Sequence, residues 1–137
     1  MNVIIFVDYS DYTEKILLAA GEFLGNRSPQ PGITVVHVID QTILFAGTGA
    51  EQVIMEELMD NGKKIRGMAV QYFGGNCRYV EEYGVPLVKI DEILESMPYD
   101  LLVIGTKGRS QLANVLLGSV AEHILHHVKT PLLVVPR

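Results

Sequence analysis

The sequence is short of cysteine: Cys77 is the only one in 137 residues, so no disulfide can form within the chain. Stability has to come from a packed core, and a lone thiol suits a reducing compartment. Basic residues are also scarce, 11 Lys and Arg against 16 Asp and Glu, for a formal net charge of −5. A sequence-independent grip on nucleic acid needs a basic surface, so no nucleic-acid partner is expected. A local site for one small anion is still allowed. The apolar runs are brief and are cut by Asp, Lys, Gly or Pro. None approaches the roughly 20 residues that span a bilayer. The opening, MNVIIFVDYSD, carries no basic segment and no cleavage signal. The expectation is a cytoplasmic protein with no membrane partner. No internal repeat, low-complexity stretch or domain boundary is visible, which predicts a single domain over residues 1–137. Two enzyme signatures are missing as well, the Gly-x4-Gly-Lys-Ser/Thr phosphate loop and the Gly-x-Ser-x-Gly nucleophile elbow.

What is present is apolar material, 48% of the chain, arranged in an alternating order. Val3 to Val7 (VIIFV) and Ile33 to Ile39 (ITVVHVI) are continuous β-branched runs, the pattern of strands buried on both faces. Asp8 and Asp40 end them. A helix is expected from about Asp11, where Asp11 and Glu14 have the spacing of a capping pair. Its stripe would be Ile16, Leu17, Ala20, Phe23 and Leu24. A long helix is expected from Glu51 to about Phe73, despite Gly62 and Gly67 within it. Cys77 to Gly84 reads as a more polar edge strand. Pro86 opens a third helix, with Leu87, Ile90, Ile93, Leu94 and Met97 inward. Asp100 to Gly105 and Pro131 to Val135 are two further strands, separated by a helix over about Ser119 to Val128. Strictly alternating strands and helices predict an α/β fold: a parallel sheet with helices on both faces. Ligands of such sheets sit beyond the carboxyl ends of the strands, where strand order reverses. Asp8, Asp40 and Gly105 fall at those ends.

The stretch VIGTKGRSQLANVLLGSVAEHIL, from Val103 to Leu125, gathers Gly105, Gly108 and Gly118-Ser119 around one connection. Glycine lets a backbone turn sharply and lets a ligand approach with no Cβ in the way. Free N–H groups at the start of the following helix attract anions. Charge-assisted hydrogen bonds are worth about 1.5–3 kcal/mol each, and three or four would give binding of about micromolar strength after association entropy is subtracted. A competing reading stands beside this one. Ser119 to Glu122 has the form of a capping box, which needs no ligand, and Gly105 and Gly108 could simply shape a loop.

Gly-x2-Gly-x9-Gly-Ser, formed here by Gly105, Gly108, Gly118 and Ser119, resembles the nucleotide-binding signature of the universal stress protein family. LLGSVAEHILHHVKTPLLVVP is similar to that family's C-terminal segment, IIFVDYSD to its first strand, VVHVID to its second, and GVPLVKIDEILESMPYDLLVIGTKG to its approach to the glycine loop. The resemblance spans nearly the whole chain, with Gln41 to Asn76 the least distinctive part. It implies a Rossmann-like five-stranded parallel sheet of order 3-2-1-4-5, of the adenine nucleotide alpha hydrolase-like kind, and a bound ATP, ADP or AMP. Carried over by residue, it places Asp8 at the ribose and the main chain of Val38 at the adenine. Gly105, Thr106 and Gly108 would wrap the ribose and first phosphates, with Gly118, Ser119 and Val120 at the outer ones. Phe6 stands where ATP-binding members often have a proline facing the base. It would line the base pocket or crowd it.

ATP is highly anionic and the chain is acidic, so Mg is expected through the phosphates, with Asp8 as a candidate protein ligand. Lys107 and Arg109 flank the glycine loop and would offset charge, or be solvated loop cations. No base is evident for attack on a γ-phosphate, so at most a slow ATPase is expected, without catalytic residues. His123 and His127 have a metal-binding spacing but no evident third ligand. Leu132 to Val135 carries no charge and would form a bare sheet edge. Pairing with a second copy would cover it, so a homodimer is expected through that strand. The functional expectation is a nucleotide-dependent stress-response or regulatory switch acting on an unknown protein partner. The alternatives are a ligand-free dimeric interaction module, with TILFAGTGA as a candidate docking loop, or an ATP-using enzyme.

Overall fold

Residues 3 to 7 are apolar without a break because both faces of their strand are covered. In the computed structural model, which describes residues 1–45, 47, 49–106 and 117–137, β1 is Asn2–Val7 and all of Val3 to Val7 is buried. Odd and even residues then serve different layers. Val3, Ile5 and Val7 join Ile16, Leu17, Ala20, Val35 and Ile65 in one cluster. Ile4 and Phe6 join Val36, Ile90, Ile93, Leu102, Ala121 and Ile124 in the other. Each fully buried Ile, Leu or Val is worth about 1.5–3 kcal/mol, so these two layers carry the fold.

The remaining elements follow in the expected alternation: α1 (Thr13–Leu24), β2 (Gly32–Asp40), α2 (Glu51–Phe73), β3 (Arg78–Gly84), α3 (Pro86–Ser96), β4 (Leu101–Gly105), α4 (Ser119–His127) and β5 (Leu132–Val135). A short 3-10 turn, Gln41–Phe45, leads from β2 toward α2. The five strands form one sheet in the order β3-β2-β1-β4-β5, and every pairing is parallel. Helices α1 and α2 supply the first cluster, α3 and α4 the second, so the sheet is covered on both faces. This is the fold and strand order expected from the sequence. Among the described residues no helix is long and apolar enough to cross a membrane.

Register explains where the sheet opens. The β1–β2 ladder ends at Val7↔His37, while β2 runs on beside β3 to Asp40↔Gly84. Beyond His37, β2 therefore has a sheet partner on one side only. On the other flank of β1, pairing with β4 stops at Ile5↔Val103, yet β4 stays paired with β5 to Gly105↔Val135. The reversal of strand order falls between β1 and β4, and each of these strands runs on past the last pairing before it ends.

Local details depart from the sequence reading in two helices. In α1 the N-cap is Tyr12, with no side-chain cap. The Asp11–Glu14 pair does not cap because both carboxylates have other partners. Asp11 pairs with Arg137 at 2.5 Å, and Glu14 accepts from the Tyr72 hydroxyl at 2.9 Å. Phe23 is not inward: it is 50% exposed beneath the Arg27 guanidinium. In α4 the helix starts at Ser119 with Gly118 as N-cap, and Leu125 is exposed. The glycine within α2 at Gly62 has a packing reason. A Cβ there would overlap Glu81 Oε1, which reaches up from β3.

Candidate functional site at the carboxyl edge of the sheet

Asp8 leaves β1 at the point where β1 and β4 diverge. Its turn is tied down by its own neighbours. The Ser10 hydroxyl donates to Asp8 Oδ1 at 2.9 Å, and the Thr13 hydroxyl donates to the Asp8 carbonyl. Ser10 N–H in turn donates to the Thr13 hydroxyl at 3.2 Å. The carboxylate is thus oriented by short-range bonds that leave α1 free to start at once. Asp8 is half-buried, a placement that suits contact with a polar ligand group.

Phe6 lies one pleat below. Its ring is 7% exposed and belongs to the α3/α4 layer. Val38 is on the same side of the sheet, packed against that layer, in the stretch of β2 that has outrun β1. Its main chain therefore lies at an opened stretch of sheet, as a contact to a base would need.

Gly105 ends β4. What occupies the place of its missing Cβ is Tyr12. A Cβ there would stand 2.5 Å from Tyr12 Cε1, 2.7 Å from its hydroxyl and 2.8 Å from Cζ. The glycine at this position is required by an aromatic ring of the protein itself. Thr106 follows, and both its main-chain groups are engaged. Its N–H donates to the Tyr12 hydroxyl at 2.8 Å and to the Val135 carbonyl at 3.2 Å. Its carbonyl accepts from Gly118 N–H at 2.6 Å. That last bond joins the end of β4 to the start of α4. Gly108 and Arg109, together with Lys107, lie outside the described residues.

The start of α4 decides whether the capping box is made. Gly118 is the N-cap, in extended conformation at φ −71° and ψ 160°. The first intrahelical bond runs from Glu122 N–H to the Gly118 carbonyl at 3.0 Å. The capping box expected at Ser119 is not made, because Ser119 is already the first helical residue. Its exposed hydroxyl makes no hydrogen bond among the described residues. The N–H groups of Ser119, Val120 and Ala121 precede the first intrahelical bond, so they are the donors that a helix start leaves over. They carry the positive end of the helix dipole. Of the expected phosphate contacts, Ser119 and Val120 are placed to donate. Gly118 N–H is spent on the Thr106 carbonyl, so it is not among the free donors.

Elsewhere, His123 and His127 form a stacked pair with ring centroids 4.3 Å apart. Nε2 of His123 is 2.8 Å from Asp91 Oδ1 of α3, and Nδ1 of His127 is 2.7 Å from the His123 carbonyl. The pair fastens α4 to α3. Cys77 is half-buried, and burial pushes its thiol pKa up, away from thiolate reactivity.

Two groupings escaped the sequence reading. One is the Tyr12 contact set, which no periodicity marks, since Tyr12 precedes α1. The other is a buried polar cluster under α2. There His37 (4% exposed) lies on the same layer as Asn61 (4% exposed), 3.7 Å from Glu81 Oε1 and 3.4 Å from the Tyr79 hydroxyl. Burial raises the pKa of both Tyr79 and Glu81. A histidine inside the run ITVVHVI was the available signal, because a buried imidazole needs polar partners.

An open, doubly covered parallel sheet with an oriented acid and an exposed helix start near its switch point defines the class: an α/β protein of the kind whose ligands sit beyond the carboxyl ends of the strands. A family model described as the universal stress protein family matches residues 1–136. The chain belongs to that family. Among curated relatives, Universal stress protein MJ0531 of Methanocaldococcus jannaschii is 35% identical over 112 residues, covering 77% of this chain and 65% of that protein. Universal stress protein Sll1388 of Synechocystis is 32% identical over 96 residues, covering 66% of this chain and 62% of that one. The chain thus spans less than two thirds of the length of these relatives. Among solved structures, universal stress protein UspA from Lactobacillus plantarum superposes with a TM-score of 0.77 at 21% identity, covering 98% of this chain and 97% of that one. A universal stress protein in complex with cAMP gives 0.69 at 20% identity, with coverage of 99% and 96%. The universal stress protein from Archaeoglobus fulgidus in complex with dAMP gives 0.53 at 21%, with coverage of 98% and 96%. At such identities these likenesses speak for the fold.

Proposed function

We propose that this protein is an adenine-nucleotide-binding regulatory module, with the nucleotide seated where β1 and β4 diverge. The observation that carries the reading is the start of α4. Three main-chain donors, Ser119 to Ala121, and an uncommitted serine hydroxyl share one helix end, bonded directly to the end of β4. Family relatives of the same fold in complex with cAMP and dAMP support an adenine nucleotide. Asp8 would contact the ribose and the main chain of Val38 the base. Ser119 and Val120 would hold the outer phosphates. Phe6 supports the base region from below through the α3/α4 layer. ATP, rather than a monophosphate, makes the fullest use of a three-donor seat. Mg would accompany it, held by the phosphates and, among the protein's oxygens, by Asp8.

The reading is a binding switch rather than a catalyst. Occupancy would bias a surface toward a second copy or another protein. The β5 edge supports the first option. Leu102 and Thr106 donate to the carbonyls of Pro131 and Val135. By alternation, Leu132 and Val134 turn their main-chain groups outward, offering an uncharged edge to an identical strand.

Calorimetric titration with ATP and Mg tests the reading. The wild-type chain is expected to bind with a Kd of about micromolar order. Gly118→Asp is expected to lose binding while holding or gaining thermal stability. Asp is a favoured N-cap and the extended backbone at Gly118 accepts it, but its carboxylate would occupy the anion seat. Undiminished affinity in that variant would reject the seat.

A further inference from the structure

We infer that Tyr12 is a positioning residue for the phosphate seat, one that holds the first turn of α4 in place through Thr106. The inference rests on the nucleotide reading for its meaning, but its geometry stands apart from any ligand.

Tyr12 is 3% exposed, and its hydroxyl sits where three segments of the chain end. It donates its single proton to the Val135 carbonyl at the end of β5. It accepts from Thr106 N–H at the end of β4, at 2.8 Å. A third, weaker contact reaches the Thr106 hydroxyl at 3.4 Å. The residue itself is the N-cap of α1. Its own N–H donates to the Ser10 hydroxyl at 3.3 Å, the same hydroxyl that orients the Asp8 carboxylate. From there the relay continues: the Thr106 carbonyl accepts from Gly118 N–H, and the next three residues are the anion donors. One continuous chain of bonds therefore runs from Asp8 through Ser10, Tyr12 and Thr106 to Gly118.

The ring is fixed as firmly as the hydroxyl. Gly105 lies under it with no room for a Cβ. The Arg137 guanidinium lies over it, 5.6 Å from the ring centroid, and is held there by Asp11. A tyrosine with a single hydrogen-bond partner could serve packing alone. Here the hydroxyl bridges two strand ends, and one of them holds the seat.

Tyr12→Phe tests this. It keeps the ring and leaves the Thr106–Val135 rung intact, so the fold is expected to survive. Amide hydrogen exchange of the nucleotide-free chain is the first readout. The expected result is exchange at least about fivefold faster at the bonded amides Thr106, Gly118 and Glu122, with β1, β2 and α2 unchanged. ATP titration of both proteins is the second, with affinity expected to fall about five- to tenfold. A wild-type chain that binds no ATP, alongside the localised exchange change, would sink the nucleotide reading and leave the positioning role standing. Exchange that is unchanged, or faster throughout the sheet, would overturn the inference. So would unaltered ATP affinity in Tyr12→Phe where the wild type binds.

Discussion

Replacing Gly105 with alanine separates two reasons for a glycine at the end of β4. If the residue is glycine so that a ligand can approach, the ligand-free protein should accept a methyl group there. The structure says otherwise. The new Cβ would lie 2.5 to 2.8 Å from three atoms of the Tyr12 ring, about 1 Å inside ordinary carbon contact distance. The ring cannot slide away cheaply, because its hydroxyl is bonded to Thr106 and Val135 and Arg137 covers its outer face. Overpacking of this kind costs about 1–3 kcal/mol. The lower entropy of the unfolded alanine chain returns about 0.4–1 kcal/mol. A net loss of about 1–2 kcal/mol is expected, or roughly 3–8 °C in Tm for a chain of this size. Urea unfolding without nucleotide measures it. The decisive arm is a double-mutant cycle: in a Tyr12→Ala background, stabilised by sucrose, the same Gly105→Ala change should cost nothing or help slightly. That gives a coupling of more than about 1 kcal/mol. Equal costs in both backgrounds would refute the claim that Tyr12 dictates the glycine.

Two further outcomes are expected. Val134→Pro removes an outward-facing N–H of β5 without touching the rungs to β4, so it should convert a homodimer to monomer at tens of micromolar, an order chosen from typical affinities, read by light scattering. A wild-type monomer at that concentration would refute pairing through β5. Glu81 holds its proton more tightly when folded than unfolded, because burial raises its pKa above the ordinary 4.5. Folding then takes up a proton, and this contribution to stability is present at low pH and lost as pH rises through the raised value. Glu81→Gln should flatten the slope of urea midpoint against pH above about 4.5; an unchanged slope would show that Glu81 does not titrate there.

The strands were readable because burial on both faces leaves a plain mark, whereas their order in the sheet came from the family resemblance alone. Residues 3–7 and 33–39 carry almost no polar side chain, and strands alternate with helices throughout. Pro86 marked the start of α3 for an equally local reason, its fixed φ and missing donor. Caps were less legible. Asp11 and Glu14 have the right spacing, but Arg137 and Tyr72, 126 and 58 residues away in sequence, claim their carboxylates. Ser119 and Glu122 also have cap spacing, yet the bond from Gly118 to Thr106 moves the helix start forward by one residue. Long-range partners decide such cases, and spacing cannot show them. Of the candidate site, Asp8, Ser119 and Val120 were visible as residues at strand and helix ends. Tyr12 was not, because its role depends on two strand ends meeting at one oxygen.

The central claim is that adenine nucleotide seats between the end of β1 and the start of α4. Amide-resolved NMR of the wild-type chain, titrated with ATP and Mg, tests it most directly. The account predicts saturable shifts centred on Asp8, Val38 and Ser119 to Ala121. It would be contradicted by a spectrum that does not respond. It would equally be contradicted by shifts confined to the opposite end of the sheet, where Asn2, Gly32, Arg78 and Met97 line a cavity of about 220 Å³.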